Sequence, residues 1–370
     1  MSVEKKVPEI RFEGFSGEWC VKKLGQIYNF NYGEFNINPS NGGQYPVYGA
    51  NGIIGGYTRF NAESSAVIGH MGEYAGSVLW AEGKHFVTYN GTIAKPIKSD
   101  FDALFGYFKL VKMNLNKICG GSGQPFLSYA ALERLDFVLP SEKEQTAIGN
   151  TFQKLDSLIS QHQQKHDKLS NIKKAMLEKM FPKQGETTPE IRFKGFSGEW
   201  EEVVLSEFAE KYDNLRVAVT AKDRIAGSTP YYGANGIQDY VEGFTHDGEY
   251  VLLAEDGAND LKNYPIHYVN GKVWVNNHAH VLKAKENGSN IFLKYALNNI
   301  DFEPFLVGGG RAKLNASIMM NLALTISTDI EEQTAIGNYF QKLDTLISQH
   351  QQQITKLNNI KQACLSKMFV

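Results

Sequence analysis

The longest pattern in the chain is a stripe of apolar residues spaced three and four apart. Within 144–181 it runs Ile148, Phe152, Leu155, Ile159, His162, His166, Leu169, Ile172, Met176 and Met180. Within 332–370 it runs Ile336, Phe340, Leu343, Ile347, His350, Ile354, Leu357, Ile360, Cys364 and Met368. That spacing holds one face of an α-helix apolar. No proline interrupts either run, and Pro182 closes the first. Each helix is then roughly 55 Å long. A helix of that length with a single apolar stripe needs a long partner, and each can serve the other. An antiparallel pairing relates like surfaces by a pseudo-twofold axis. It sets His162 near Ile354 and His166 near His350. The seam expected is Ile148, Phe152, Leu155, Ile159 and Leu169 against Ile336, Phe340, Leu343, Ile347 and Leu357. The histidines read as register or edge positions rather than ligands.

Elsewhere the period shortens. Strand-like runs occupy 64–70, 76–82, 84–92, 248–255 and 271–284, and short amphipathic helices 104–115 and 291–300. The 35 glycines cluster in these stretches rather than in the helices. The predicted fold is α+β: two similar domains of mixed α/β structure, joined by two long antiparallel coiled-coil helices.

The two halves are copies. PEIRFEGFSGEW at 8–19 returns as PEIRFKGFSGEW at 189–200. EQTAIGNTFQKLD… from 144 returns as EQTAIGNYFQKLD… from 332, with 29 of 39 positions identical. Between these ends, YPVYGANGI (45–53) answers TPYYGANGI (229–237), and GGSGQPFLS (120–128) answers GGGRAKLNA (308–316). The rest of 54–119 and 238–307 is unrelated. A period near 180 residues is too long for a solenoid. Two inserts that share only their hinges suggest two readers of different ligands in one frame. The expected boundaries are 1–141, first domain; 142–183, first spacer helix; 184–328, second domain; 329–370, second spacer helix.

Charge narrows the function. The chain carries 38 basic and 40 acidic residues, net −2, so bulk charge does not bind a polyanion. Residues 184–331 alone are net −8. Three scattered cysteines, Cys20, Cys119 and Cys364, point to a reducing compartment, here the cytoplasm. No apolar leader opens the sequence, and no run is long enough to span a membrane. Catalytic signatures are missing: no phosphate-binding P-loop, no nucleophile elbow, no adenine-methyltransferase Asn-Pro-Pro-Tyr. His278 and His280 share a strand face without an evident third ligand, so no metal and no cofactor is expected. Glu255 and Asp256 form a carboxylate pair that the first copy does not repeat.

The order domain, EQ-x-x-I helix, domain, EQ-x-x-I helix closely resembles the specificity subunit of type I restriction-modification systems. PEIRFKGFSGEW, the YGANGI turn and GGSGQPFLS carry the same resemblance, which covers the whole chain. It implies two target-recognition domains, each reading half of a bipartite site in double-stranded DNA. It also implies two methyltransferase subunits as partners, restriction subunits recruited through them, and no chemistry in the chain itself. One departure is Arg311, which stands where the family usually has the Gln seen at Gln124.

Base readout draws on Arg, Lys, Asn, Gln and aromatic side chains on loops. The residues expected to contact DNA are Arg59, His70, Tyr74, Tyr89, Asn90 and Gln124 in the first copy. In the second they are Arg224, Asn259, Lys262, Asn276, Asn277, Arg311 and Lys313. Trp19 and Trp200 read as anchors between each domain and the helices. The rival readings are a stand-alone DNA-binding or anti-restriction decoy protein, and a coiled-coil adaptor that does not bind DNA.

Overall fold

The computed structural model describes residues 6–35, 42–121, 123–308 and 311–370. Ser122, Gly309 and Gly310 of the two Gly-rich segments lie outside the described residues. The chain divides into two units: residues 1–163 with 352–370, and residues 164–351. Each long helix therefore contributes one half to each unit.

In unit 1 the elements are β1 (Cys20–Lys23), β2 (Tyr28–Tyr32), β3 (Tyr45–Gly49), β4 (Gly52–Tyr57), β5 (Ala62–Gly69), β6 (Val78–Val87), β7 (Gly91–Pro96), α1 (Ala103–Met113), α2 (Tyr129–Glu133), β8 (Asp136–Leu139) and the first half of α3 (Glu142–Met180). Six strands form a sheet in the order β2-β7-β5-β6-β3-β4, with β3 parallel to β6 and the other pairs antiparallel. β1 pairs with β8 in a separate ribbon. Alternation along β5 sends Ala66 and Ile68 to the large core with Phe105 and Phe108 of α1. Val67 goes to a smaller cluster on the opposite face, with Ala81, Val87 and Ile93.

Unit 2 repeats this plan. It contains β9 (Glu201–Val204), α4 (Leu205–Phe208), β10 (Ala209–Lys211), β11 (Ala226–Gly233), β12 (Gly236–Val241), β13 (His246–Ala254), β14 (Ile266–Val275), β15 (Ala279–Ala284), α5 (Asn290–Asn298), α6 (Ala316–Met320), β16 (Ala323–Ile326) and the start of α7 (Ile330–Lys367). The sheet order is β10-β15-β13-β14-β11-β12, and β9 pairs with β16.

Boundaries differ from the sequence pattern at two points. The runs 76–82 and 84–92 do not make two strands: most of the first and the start of the second form the single strand β6, which turns into β7 at 88–90. The run 271–284 is broken between β14 and β15, because Asn276 Oδ1 accepts the backbone N–H of His278 and closes a tight turn.

The repeated motifs are the joints of the frame. Arg11 donates through Nε and Nη2 to both oxygens of Glu144, each at 2.7 Å, and also to the carbonyls of Ser16 and Gly17. Arg192 repeats this on Glu332, Ser197 and Gly198. Glu144 and Glu332 are buried, so only a bidentate guanidinium makes their charge tolerable. The adjacent Gln145 donates to the Pro140 carbonyl and accepts from the N–H of Asp102, the N-cap of α1. Gln333 does the same with Ser327 and Ser289, the N-cap of α5. Gly149 and Gly337 let these helices come close: a Cβ at Gly149 would sit 2.7 Å from Asp102, and one at Gly337 would sit 2.7 Å from Ile291.

Within each unit the two long helices run antiparallel. In unit 1, Phe152 of α3 stacks near Phe369 beyond α7, and Asp156 pairs with Lys361 at 2.5 Å. In unit 2, Phe181 lies near Phe340, and Lys173 pairs with Asp344 at 2.6 Å. Both ion pairs fall within one residue of the register expected from the sequence. Of the seam residues, Ile148 and Phe152 enter the unit 1 core and Leu155 packs against it. Ile336, Phe340 and Leu343 enter the unit 2 core and Leu169 packs against it. Ile159, Ile347 and Leu357 are half-buried. Trp200 packs on Phe181 at the end of α3 and on Phe292, and Trp19 packs edge-on to Phe105 in the core that also takes in Phe152 and Phe369.

Candidate functional site

Four segments converge at the same place in each unit. The first is the tight turn of YGANGI, between β3 and β4 in unit 1 and between β11 and β12 in unit 2. Gly52 and Gly236 close these turns at φ +123° and +106°, a conformation that glycine adopts without strain. The second is the loop after β5 or β13. The third is the turn after β6 or β14. The fourth is the bridge around Phe126 or Lys313.

Backbone hydrogen bonds superpose the two sites residue by residue. Thr88 N–H donates to Tyr48 O as Asn276 donates to Tyr232 O. His70 donates to Asn90 O as Glu255 donates to His278 O. Leu127 donates to His70 O as Leu314 donates to Glu255 O, and Gly72 donates to Pro125 O as Gly257 donates to Ala312 O. Gln124 therefore corresponds to Arg311, Tyr89 to Asn277, Asn90 to His278 and Met71 to Asp256. The frame is the same and the side chains on it differ.

In unit 1 the four segments line an open depression of about 380 Å³, which brings together Tyr74, Tyr89, Asn90 and Gln124 of the expected residues. Asn51 and Met71 join them there. Ser77 Oγ donates to the Ala50 carbonyl at 2.6 Å and pins the loop to the turn. His70 is a wall rather than a contact: it is 4% exposed and packs between Tyr32 and Phe126. Burial lowers its pKa, so the ring is neutral at pH 7. Arg59 lies at the other end of the β3–β4 hairpin, paired with Glu34 at 2.6 Å and set over Phe86.

Unit 2 carries a charged network at the corresponding place. Arg311 donates to Asp256 at 2.9 Å, and His278 Nδ1 lies 2.5 Å from the same carboxylate. Lys313 pairs with Glu255 at 3.1 Å, and Asn277 is exposed beside them. Asn235 of the turn donates to Gly257 O and accepts the Asn259 N–H, so Asn259 sits on the rim. Lys262 is farther along that loop, in a turn closed on Asp260. Asn276 is buried in the turn described above. Arg224 stacks 4.1 Å over Tyr231 and pairs with Asp239, away from the rim.

Beneath this rim, Asp213, Glu255 and His280 bring ligand atoms within 4.8 Å of one another. Arg216 fills the role a cation would have, 2.7 Å from Glu255 and 3.5 Å from Asp213. Burial works against ionisation of Glu255. Its bonds to Arg216 and Lys313 outweigh this and hold the carboxyl below its ordinary range. The arrangement is a closed structural network.

The sequence pattern did not bring out Asn51, Asn235, Met71, Asp256 and His278 as parts of one rim. The repeated YGANGI was their signal, since a turn kept in both copies marks where the inserts are hung.

A family model described as "Type I restriction modification DNA specificity domain" matches residues 16–171 and 197–359. The chain belongs to that family. It is 43% identical over 167 residues to a putative type I restriction enzyme specificity subunit of Haemophilus influenzae, covering 45% of this chain and 43% of that protein. It is 28% identical over 118 residues to the type I restriction enzyme EcoprrI specificity subunit of Escherichia coli, covering 31% of this chain and 29% of that one. These matches span less than half the length of each curated relative. The S subunit of a type I restriction-modification system from M. genitalium shares the fold, with a TM-score of 0.75 over 98% of this chain and 99% of that one, at 17% identity. Among the described residues no helix is long and apolar enough to cross a membrane.

Proposed function

We propose that the chain is the sequence-specificity subunit of a type I restriction-modification complex, reading a bipartite site in double-stranded DNA with one rim per unit. What carries the reading is the rim itself: four segments held by the same backbone hydrogen bonds, displaying Asn51, Met71, Tyr89, Asn90 and Gln124 in one unit and Asn235, Asp256, Asn277, His278 and Arg311 in the other. A fixed frame with exchanged polar and aromatic tips is what reading two different base sequences requires. Tyr74, Asn259, Lys262 and Lys313 extend these surfaces.

On this reading residues 1–141 and 184–328 are the two target-recognition domains, with spacer helices at 142–183 and 329–370. The chain works in the cytoplasm without chemistry or cofactor of its own. Two methyltransferase subunits, and through them restriction subunits, supply the catalysis. The net charge of −2 supports this dependence, because phosphate neutralisation normally provides much of the affinity for DNA. The test is sequencing of methylated bases in host DNA with and without the gene. A bipartite methylated motif that disappears on deletion is expected. Unchanged methylation on deletion would refute the function, and tight, sequence-selective binding by the lone chain at physiological salt would refute its dependence on partners.

A further inference from the structure

We propose that Arg311 reads a guanine in the half-site met by unit 2, and that Asp256 and His278 are positioning residues that aim it. The inference rests on the reading above and adds to it the base and the residue. Arg311 stays 59% exposed although it is bonded. Nη2 donates to Asp256 Oδ1 at 2.9 Å and lies 3.2 Å from His278 Nδ1. Gly257 sits behind the group, at φ +71°, and a Cβ there would come within 3.3 Å of Nε and Nη2. Among the described residues no partner meets Nη1. Nη2 is therefore clamped, and Nη1 keeps both of its N–H donors.

That is the form needed for the major-groove edge of guanine, whose O6 and N7 accept two parallel hydrogen bonds. A phosphate suits the place less well. Asp256 lies against Arg311 and Glu255 against Lys313, so each cation comes with a carboxylate that would repel an anion. A base edge is dipolar and neutral and meets no such repulsion. The corresponding position in unit 1 is Gln124, so the two half-sites are read by different chemistry at one point of the frame.

The experiment uses the complete complex with its methyltransferase subunits and reads the methylated motif. Wild type must first give a bipartite motif; if it gives none, the proposed function fails and not this assignment. The half-site that survives exchange of residues 20–140 belongs to unit 2. With Arg311→Ala, one G·C pair in that half-site should become free, with discrimination against the other bases falling roughly ten- to a hundredfold, and the other half-site should stay unchanged. Arg311→Gln should move the preference at that position toward adenine. Asp256→Asn should relax the same position partially and no other. Competition binding by the purified complexes, against duplexes varied at that position, gives the answer for variants that methylate weakly. An unchanged motif would overturn the assignment, and so would a loss of affinity uniform across sequences with a salt slope reduced by about one, the signature of a phosphate contact. Retention of guanine by Arg311→Gln would overturn it as well.

Discussion

Asp156 and Asp344 are the same residue in two copies of one helix, yet their removal should differ severalfold in cost. Asp156 pairs with Lys361 at 2.5 Å, and the two side chains are 37% and 21% exposed. Asp344 accepts from Lys173 at 2.6 Å, Lys294 at 2.5 Å and the Tyr295 hydroxyl at 2.8 Å. Aligning the N-caps of α1 and α5 puts Tyr107 and Phe108 of unit 1 where unit 2 has Lys294 and Tyr295. Asp156→Ala thus deletes one partly exposed pair, about 0.5 kcal/mol. Asp344→Ala leaves the mostly buried Lys294 without its carboxylate and the Tyr295 hydroxyl, which still accepts from Lys294 Nζ, without an acceptor, about 3 kcal/mol. At 2–4 °C per kcal/mol for units of this size, melting should drop by about 1–2 °C and about 6–12 °C respectively. Thermal unfolding at pH 7 gives the totals. Hydrogen exchange in α1 and α5 assigns each loss to its unit. Equal shifts for the two variants would refute the reasoning.

Acid supplies a second arm. Burial pushes the Asp344 pKa up, but Lys294 and Lys173 outweigh it and hold it below the ordinary value. A carboxylate with a depressed folded pKa stabilises above its unfolded pKa, about 3.9, and loses that contribution as the pH falls through the folded value. The gap between wild type and Asp344→Ala should therefore be full at pH 5 and close progressively below about pH 4.

Three further outcomes are expected. Arg192→Ala leaves the buried Glu332 uncompensated and should cost unit 2 about 3–5 kcal/mol in denaturant unfolding, with Arg192→Lys restoring only part because it lacks the fork. Gly149→Val should cost at least about 1–3 kcal/mol by thermal melting, since its Cβ would meet Asp102 and the Phe105 N–H within 3 Å; a neutral result would refute a close contact between α3 and α1. Exchanging residues 20–140 for those of a related chain should alter one half of the methylated motif only, and change in both halves would mean that the units read DNA jointly.

Much of this was legible in the residues. The apolar stripes gave both long helices, because a 3.6-residue period sustained over ten turns admits no other structure. The repeats gave the duplication. Their atomic reason was not legible: nothing local tells that Arg11 reaches Glu144 across 133 positions. The rim was half legible. Residue type alone points to Tyr74, Tyr89, Asn90 and Gln124, which meet on the rim of unit 1, and to Asn277 and Arg311, which lie on the rim of unit 2. His70, Asn276 and Arg224 have the same chemistry but are held by burial, a turn and an aromatic face. Composition cannot separate a displayed polar group from one used internally, because the difference lies in long-range packing.

The sharing of helix halves also fixes the order in which the molecule can be finished during synthesis. The core of unit 1 includes Leu365, Met368 and Phe369, and Lys109 is hydrogen-bonded to the carbonyl of Val370. At 5–20 residues per second, the ribosome delivers these about 10–40 s after residue 163. Throughout that interval Phe105, Phe108 and Phe152 lack their lid, a standing invitation to chaperones. Unit 2 has no such wait for its own, because Met180 and Phe181 are made before the rest of it. A stop codon within positions 364–370 would therefore spare the domain translated second and cripple the one translated first.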